Sequence, residues 1–184
     1  MIAQANASAS LPGSCVYHVI KGDIADIGIC SPESIYKADR DLFMRTSYHI
    51  YSGRCAEDMH KSNPTPEDVI YWLNHYRLPC TAKCIFFAFA DVHSLGIEYK
   101  SPVTEFAIPI TVLKEYATNQ PILFLGKKQT KVSWKVFETH LDKYHKEAIK
   151  GSKEHNDTMF RYMYIKHFAV ECDPIPLNRI TRLS

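Results

Sequence analysis

The sequence predicts an α+β fold: a single domain with a split, mainly antiparallel sheet flanked by helices. Three observations predict it. Helical patterns cluster between one early strand pattern and a later group of strands, which does not suit a regular alternation of strand and helix. The run from Cys84 to Ala90, dominated by Ile85, Phe86, Phe87 and Phe89, is too apolar to leave either face in water and reads as a central strand. The closing pattern, Tyr162 to Glu171, runs into Cys172-Asp173-Pro174-Ile175-Pro176, where two prolines without N–H groups end the ladder. At 184 residues the chain can bury one core but not two comfortable ones. Residues 1–14, rich in Ala, Ser, Gln and Asn, read as a flexible leader to a domain over 15–184.

Cys15 to Ile20 is the first strand, ended by Lys21-Gly22-Asp23. Ser31-Pro32-Glu33 starts a helix, with a capping hydroxyl, proline at the first helical position and an acid in the first turn. That helix is expected to reach about Arg45, burying Ile35, Leu42 and Phe43. Tyr48 to Asn63 is expected to be an irregular connection. Thr65 and Asp68 have capping-box spacing, and Val69, Leu73 and Tyr76 share a face behind them. After the central strand come a strand at Val103–Ile110, a short helix at Thr111–Tyr116 and a strand at Pro121–Leu125. The longest helix begins after Ser133, with Trp134, Phe137, Leu141, Tyr144 and Ala148 at helical spacing and Gly151 placed to stop it. Lys150 to Asp157 reads as a mobile loop.

A formal charge of +2 names no partner. Its distribution is uneven: residues 127–166 carry ten basic and five acidic side chains, the first sixty residues seven acidic and five basic. Such asymmetry suits a phosphate-facing surface or, more simply, a solvated helix face. The six cysteines have no small-scaffold spacing and no signal-peptide pattern precedes them, so reduced thiols and a cytoplasmic working place are expected, including the cytosol of a host or target cell into which the protein is delivered. No apolar stretch approaches the roughly 20 residues that span a bilayer, so no membrane partner is expected.

His18 lies beside Tyr17 on the first strand, Tyr48 and Tyr51 follow about thirty residues later, and Glu171 stands where the last strand emerges toward solvent. Imidazole and phenol rings offer stacking surfaces and hydrogen bonds, while a carboxylate stabilises an oxocarbenium-like centre as a glycosidic bond breaks. The plainer reading makes Tyr17 and His18 core or edge residues and Glu171 a strand cap. With Tyr17-His18 in an opening strand, an aromatic-rich helix and loop behind it, and a closing strand followed by Ile175-Pro176 through Ile180, the chain resembles the ADP-ribosyltransferase superfamily of the histidine–tyrosine–glutamate type. The resemblance implies a small split α+β fold acting on NAD as substrate. It also implies His18 on the ribose, Tyr17, Tyr48 and Tyr51 around nicotinamide, and Glu171 as the catalytic carboxylate. It further implies a toxin or effector whose acceptor is a protein or a nucleic acid, with an antitoxin or chaperone as a further partner. The chain departs from the pattern in one place: the glutamate usually stands early in the closing strand, where this sequence has His167, so Glu171 or another acid such as Glu105 must take the role.

Other constellations suggest other chemistry. His75, Cys80, Cys84 and His93 have spacings a zinc ion accepts, although buried cysteines acting as small hydrophobes explain the thiols. Gly126 to Lys135 joins a strand end to a helix start and can welcome a phosphate, without the pattern of a nucleotide-binding loop. His140, His145 or His155 beside neighbouring lysines supply the groups of a metal-independent nuclease or a nucleic-acid-binding protein. A non-enzymatic partner-binding module is the third class.

Overall fold

The computed structural model of the chain describes residues 14–21, 27–99, 102–125, 128–154 and 167–183. Strand β1 (Cys15–Lys21) pairs antiparallel along its whole length with β3 (Val103–Pro109), and the two-residue β7 (Thr181–Arg182) adds to the other edge of β3. A second antiparallel sheet has the order β2 (Cys84–Phe87), β6 (Phe168–Glu171), β4 (Ile122–Leu123), β5 (Thr130–Lys131). The sheets are joined at the bridge where Tyr17 and Ala88 exchange backbone hydrogen bonds of 2.9 and 2.8 Å. The expected split sheet is therefore present, with β1 and the end of β2 forming its seam.

Strand alternation divides the second sheet into two faces. Ile85, Phe87, Leu123, Phe168 and Val170 enter the main core with Val16, Phe106 and Ile108 of the first sheet. Cys84, Phe86, Ile122 and Ala169 point the other way, into a small separate cluster with Cys80 and Phe124. The main core is closed by α7 (Trp134–Thr139), which buries Phe137, and α8 (Leu141–Glu154), which buries Leu141 and Ala148. Two short helices complete this part, α5 (Val92–Leu95) and α6 (Ile110–Tyr116).

A helical layer lies between β1 and β2 in sequence. Ser31 caps α1 (Pro32–Ala38), and Asp39 ends it by capping α2 (Arg40–Phe43) in turn. A π-helical turn, Met44–Tyr48, leads into α3 (His49–Met59), which stops at His60 in the left-handed conformation. Thr65 and Asp68 form the expected capping box at the start of α4 (Pro66–His75). Phe43, Cys55, Val69, Trp72, Leu73 and Ala82 make a core of their own, and Asp58 accepts the Trp72 indole N–H at 2.9 Å.

Several expectations are corrected. Residues 48–63 are mainly helix: Cys55 is the only fully buried residue of α3, so its apolar pattern is too sparse to show a period, and packing against α4 holds it instead. The long helix after Ser133 is two helices, broken at His140, and Gly151 lies inside α8 rather than ending it. Residues 150–154 are consequently helical, not loop. The strand expected at 121–125 is trimmed to Ile122–Leu123. Residues 1–13 of the leader expected over 1–14, residues 155–157 and the first part of the closing strand, 162–166, lie outside the described residues. Gly28, at φ +83°, lets the chain pass so close to Ile175 that a Cβ would meet the Ile175 carbonyl; the backbone pair Ile29–Ile175, at 3.0 and 2.9 Å, depends on it. Among the described residues no helix is long and apolar enough to cross a membrane.

Candidate functional site

The residues singled out from the sequence fall into three places, and Phe86 on β2 connects the most of them. His18 reaches across from β1 and donates its Nδ1–H to the Phe86 carbonyl at 2.8 Å, with its ring 5.7 Å from that of Phe87. The Phe86 ring, on the outer face, lies 5.7 Å from Phe124 and under the guanidinium of Arg77 at 5.6 Å. Arg77 also covers Tyr51 at 5.1 Å and Trp72 at 5.6 Å. A guanidinium against three rings is attracted to their negative faces. Among the described residues Arg77 has no carboxylate within ion-pair distance.

Glu171 belongs to the same outer face. It stands opposite Cys84, and Ala169 opposite Phe86, so Glu171 and Phe86 project to one side of the β2–β6 pair. Its carboxylate accepts the Thr81 hydroxyl at 3.0 Å and the Asn119 side-chain amide at 3.4 Å. These bonds fix the carboxylate's direction and link the turn before β2 to the turn after α6. The outer face thus carries, in sequence order, Tyr51, Arg77, Phe86, Phe124 and Glu171, while His18, opposite Phe106 and beside Phe87, reaches the Phe86 carbonyl from the main-core side of the seam.

Tyr17 and Tyr48 are placed elsewhere. Tyr48 sits at the margin of the helical core and gives its hydroxyl proton to the Pro64 carbonyl at 2.8 Å, a fastening of the α3–α4 connection. Tyr17 alternates with His18 and so takes the opposite face of β1, with Glu105 of β3. Burial pushes the Tyr17 phenol up, and Asp91, Cys15 and Glu105 add to it. Glu105 is 7% exposed and accepts the Val92 N–H at 3.2 and 3.3 Å; burial raises its carboxyl above the usual range. Asp91 is held low by the Ser94 hydroxyl and N–H against the opposing effect of its own burial, and caps α5. Asp91 and Glu105 line a cavity of about 570 Å³ with Tyr99 and Leu183. This concavity and the Phe86 face are separate places on the molecule.

His167, where the resemblance expects a glutamate, is 2% exposed. Its Nδ1 accepts the Phe89 N–H at 2.9 Å and its ring lies parallel to Phe89 at 5.9 Å. Burial drives its pKa down to about 3, so it is a neutral strut and carries no negative charge.

The remaining constellations take plainer forms. Along α8, Lys143, Lys146 and Lys150 pair with Glu147, Asp142 and Glu154 one turn away, at 3.7, 2.8 and 3.9 Å, and Lys114 pairs with Glu138 at 3.1 Å. His140 and His145 are bonded through Nδ1 to the carbonyls of Val136 and Phe89, at 2.9 Å each. His155, Gly126 and Lys127 lie outside the described residues. His75 is stacked on Tyr71 at 4.1 Å and exposed, while Cys80 and Cys84 are buried; among the described residues no three metal-binding side chains converge, so the zinc constellation does not assemble. Arg77, Phe86, Thr81 and Asn119 had no sequence signal, because their roles arise from long-range pairing. Comparison with family models, with curated proteins and with solved structures finds no match to this chain.

Proposed function

We propose that the chain is an NAD-dependent ADP-ribosyltransferase-like enzyme, a toxin or effector, whose site is the outer face around Phe86. The observation that carries the reading is the double use of that one residue. Its carbonyl anchors His18 and its ring underlies Arg77, which in turn covers Tyr51. Partly buried aromatic rings beside a guanidinium without a carboxylate partner suit a dinucleotide, which offers flat bases and a pyrophosphate.

In this reading Arg77 meets the pyrophosphate, Phe86, Phe124 and Tyr51 supply the stacking surfaces, and His18 accepts a ribose hydroxyl through Nε2. The bond from ribose C1′ to nicotinamide breaks with its electron pair leaving on the ring nitrogen. Glu171 stabilises the positive charge that develops at C1′ until the acceptor's nucleophile attacks it. Thr81 and Asn119 are positioning residues that aim the carboxylate. The nuclease alternative has less support, because the α8 lysines are paired locally.

Glu171→Gln keeps the size of the side chain and one accepting oxygen but removes its charge, and is expected to slow NAD hydrolysis or transfer by about a hundredfold or more. The check is nicotinamide release measured beside a circular dichroism spectrum. Equal rates in a folded Glu171→Gln protein overturn the assignment.

A further inference from the structure

Two thiols bracket the turn that positions Glu171. Cys80 N–H bonds to the Arg77 carbonyl at 3.1 Å, Cys84 N–H to the Thr81 carbonyl at 3.1 Å, and Thr81 N–H reaches Cys84 Sγ at 3.4 Å. Thr81, between them, gives its hydroxyl proton to Glu171. Both cysteines are buried in the small outer cluster, at 5% and 1% exposure, but Leu78, Pro79 and Lys83 of the covering turn are exposed. The thiols are thus one surface turn from solvent.

Their chemistry also sets them apart. Burial raises the thiols of Cys30, Cys55 and Cys172, whereas Cys84 is lowered, first by the proton of the Cys80 thiol and then, against burial, by the Thr81 N–H. Cys80 is raised in return, so Cys84 is the thiol of the two that gives up its proton more readily. A thiolate is the form from which thiol oxidation starts.

We propose that Cys80 and Cys84 form a reversible intramolecular disulfide under a peroxide-class oxidant and that this bond regulates the site around Glu171 and Arg77. The Cys84 thiolate attacks a peroxide oxygen, breaking the O–O bond and giving a sulfenic acid and hydroxide. The Cys80 sulfur then attacks the Cys84 sulfur, the S–OH bond breaks and the hydroxyl leaves as water with the Cys80 proton, while the hydroxide of the first step takes up the proton that Cys84 released on ionising. Two thiols and one peroxide become one disulfide and two waters, the two electrons passing from sulfur to oxygen. Closing the bond draws in both ends of the turn, which moves Thr81 away from Glu171 and shifts the backbone that carries Arg77. The regulatory consequence rests on the proposed NAD site; the bond itself does not.

The test treats the full chain with hydrogen peroxide, alkylates the remaining thiols and maps the peptides by mass. The expected result is a Cys80–Cys84 disulfide forming roughly tenfold faster than any other cysteine modification, reversed by dithiothreitol. Six alkylatable thiols after treatment, or another pair closing as fast, overturns the proposal. The NAD-dependent melting shift of the oxidised protein is expected to fall below about half that of the reduced protein. A mapped disulfide with an unchanged shift overturns the regulatory role. Should the reduced protein show no shift with NAD, the site reading fails alone, since the mapping needs no ligand.

Discussion

Lowering the pH from 7 to 5 is expected to destabilise the protein by about 2 kcal/mol through His167 alone. The folded protein holds this imidazole neutral down to about pH 3 because it is buried, whereas in the unfolded chain it takes a proton near 6.5. The unfolded state therefore binds more protons throughout that window. The stability is fully present above pH 6.5 and drains away as the pH falls, the loss reaching about 4 kcal/mol near pH 3. Urea unfolding at pH 7, 6 and 5 measures the slope. In His167→Gln the side chain still offers the Phe89 N–H an acceptor but does not titrate, so its slope is expected to be flatter by about 2 kcal/mol over the same range. Equal slopes in the two proteins would place the proton elsewhere.

Phe168→Ala is expected to cost about 3–5 kcal/mol. The Phe168 ring is 0% exposed and lies 5.4 Å from Phe87, 4.8 Å from Phe89 and 4.9 Å from Phe137. It therefore packs against β2, the segment after it and α7 at once. Truncation loses both the transfer of a phenyl ring from water and the contacts of three neighbouring rings that do not collapse together. Against a typical total of about 5–15 kcal/mol, such a loss leaves a marginal protein. The urea midpoint is expected to fall with an unchanged m value, and Phe168→Leu, which keeps part of the volume, to fall less. A Phe168→Ala midpoint within error of the parent would contradict this account of the core.

What was legible in the sequence was local. The β1 pattern and the Thr65–Asp68 capping box rest on neighbours within a few residues and formed as expected, while the apolar run from Cys84, expected as a central strand to Ala90, is a strand only to Phe87 and ends the order of its sheet. The two-residue strands β5 and β7 had no such signal: Thr130, Lys131, Thr181 and Arg182 are exposed, and only their partners make them strands. α3 was missed for the same kind of reason, since Ile50 is exposed and the helix is held by a few contacts to α4. For the site, His18, Tyr51 and Glu171 stood out by residue type and place in the chain. Their relation to one another depends on registers spanning 68 residues, from His18 to Phe86, and 90 residues, from Thr81 to Glu171, and no local pattern encodes those. Tyr48 drew attention as a phenol, but it fastens a loop.

The most direct measurement is thermal unfolding of the full chain with and without NAD, in the parent and in Arg77→Ala. Arg77 sits at the rim of the helical core, so the variant is compared with its own ligand-free melting temperature. At ten times its dissociation constant, NAD stabilises the folded state by about 1.4 kcal/mol. In a chain of this length that raises the melting temperature by roughly 3–6 °C. The account predicts such a rise in the parent and its loss in Arg77→Ala. No rise at millimolar NAD, or an equal rise in both proteins, would contradict a dinucleotide site on the Phe86 face.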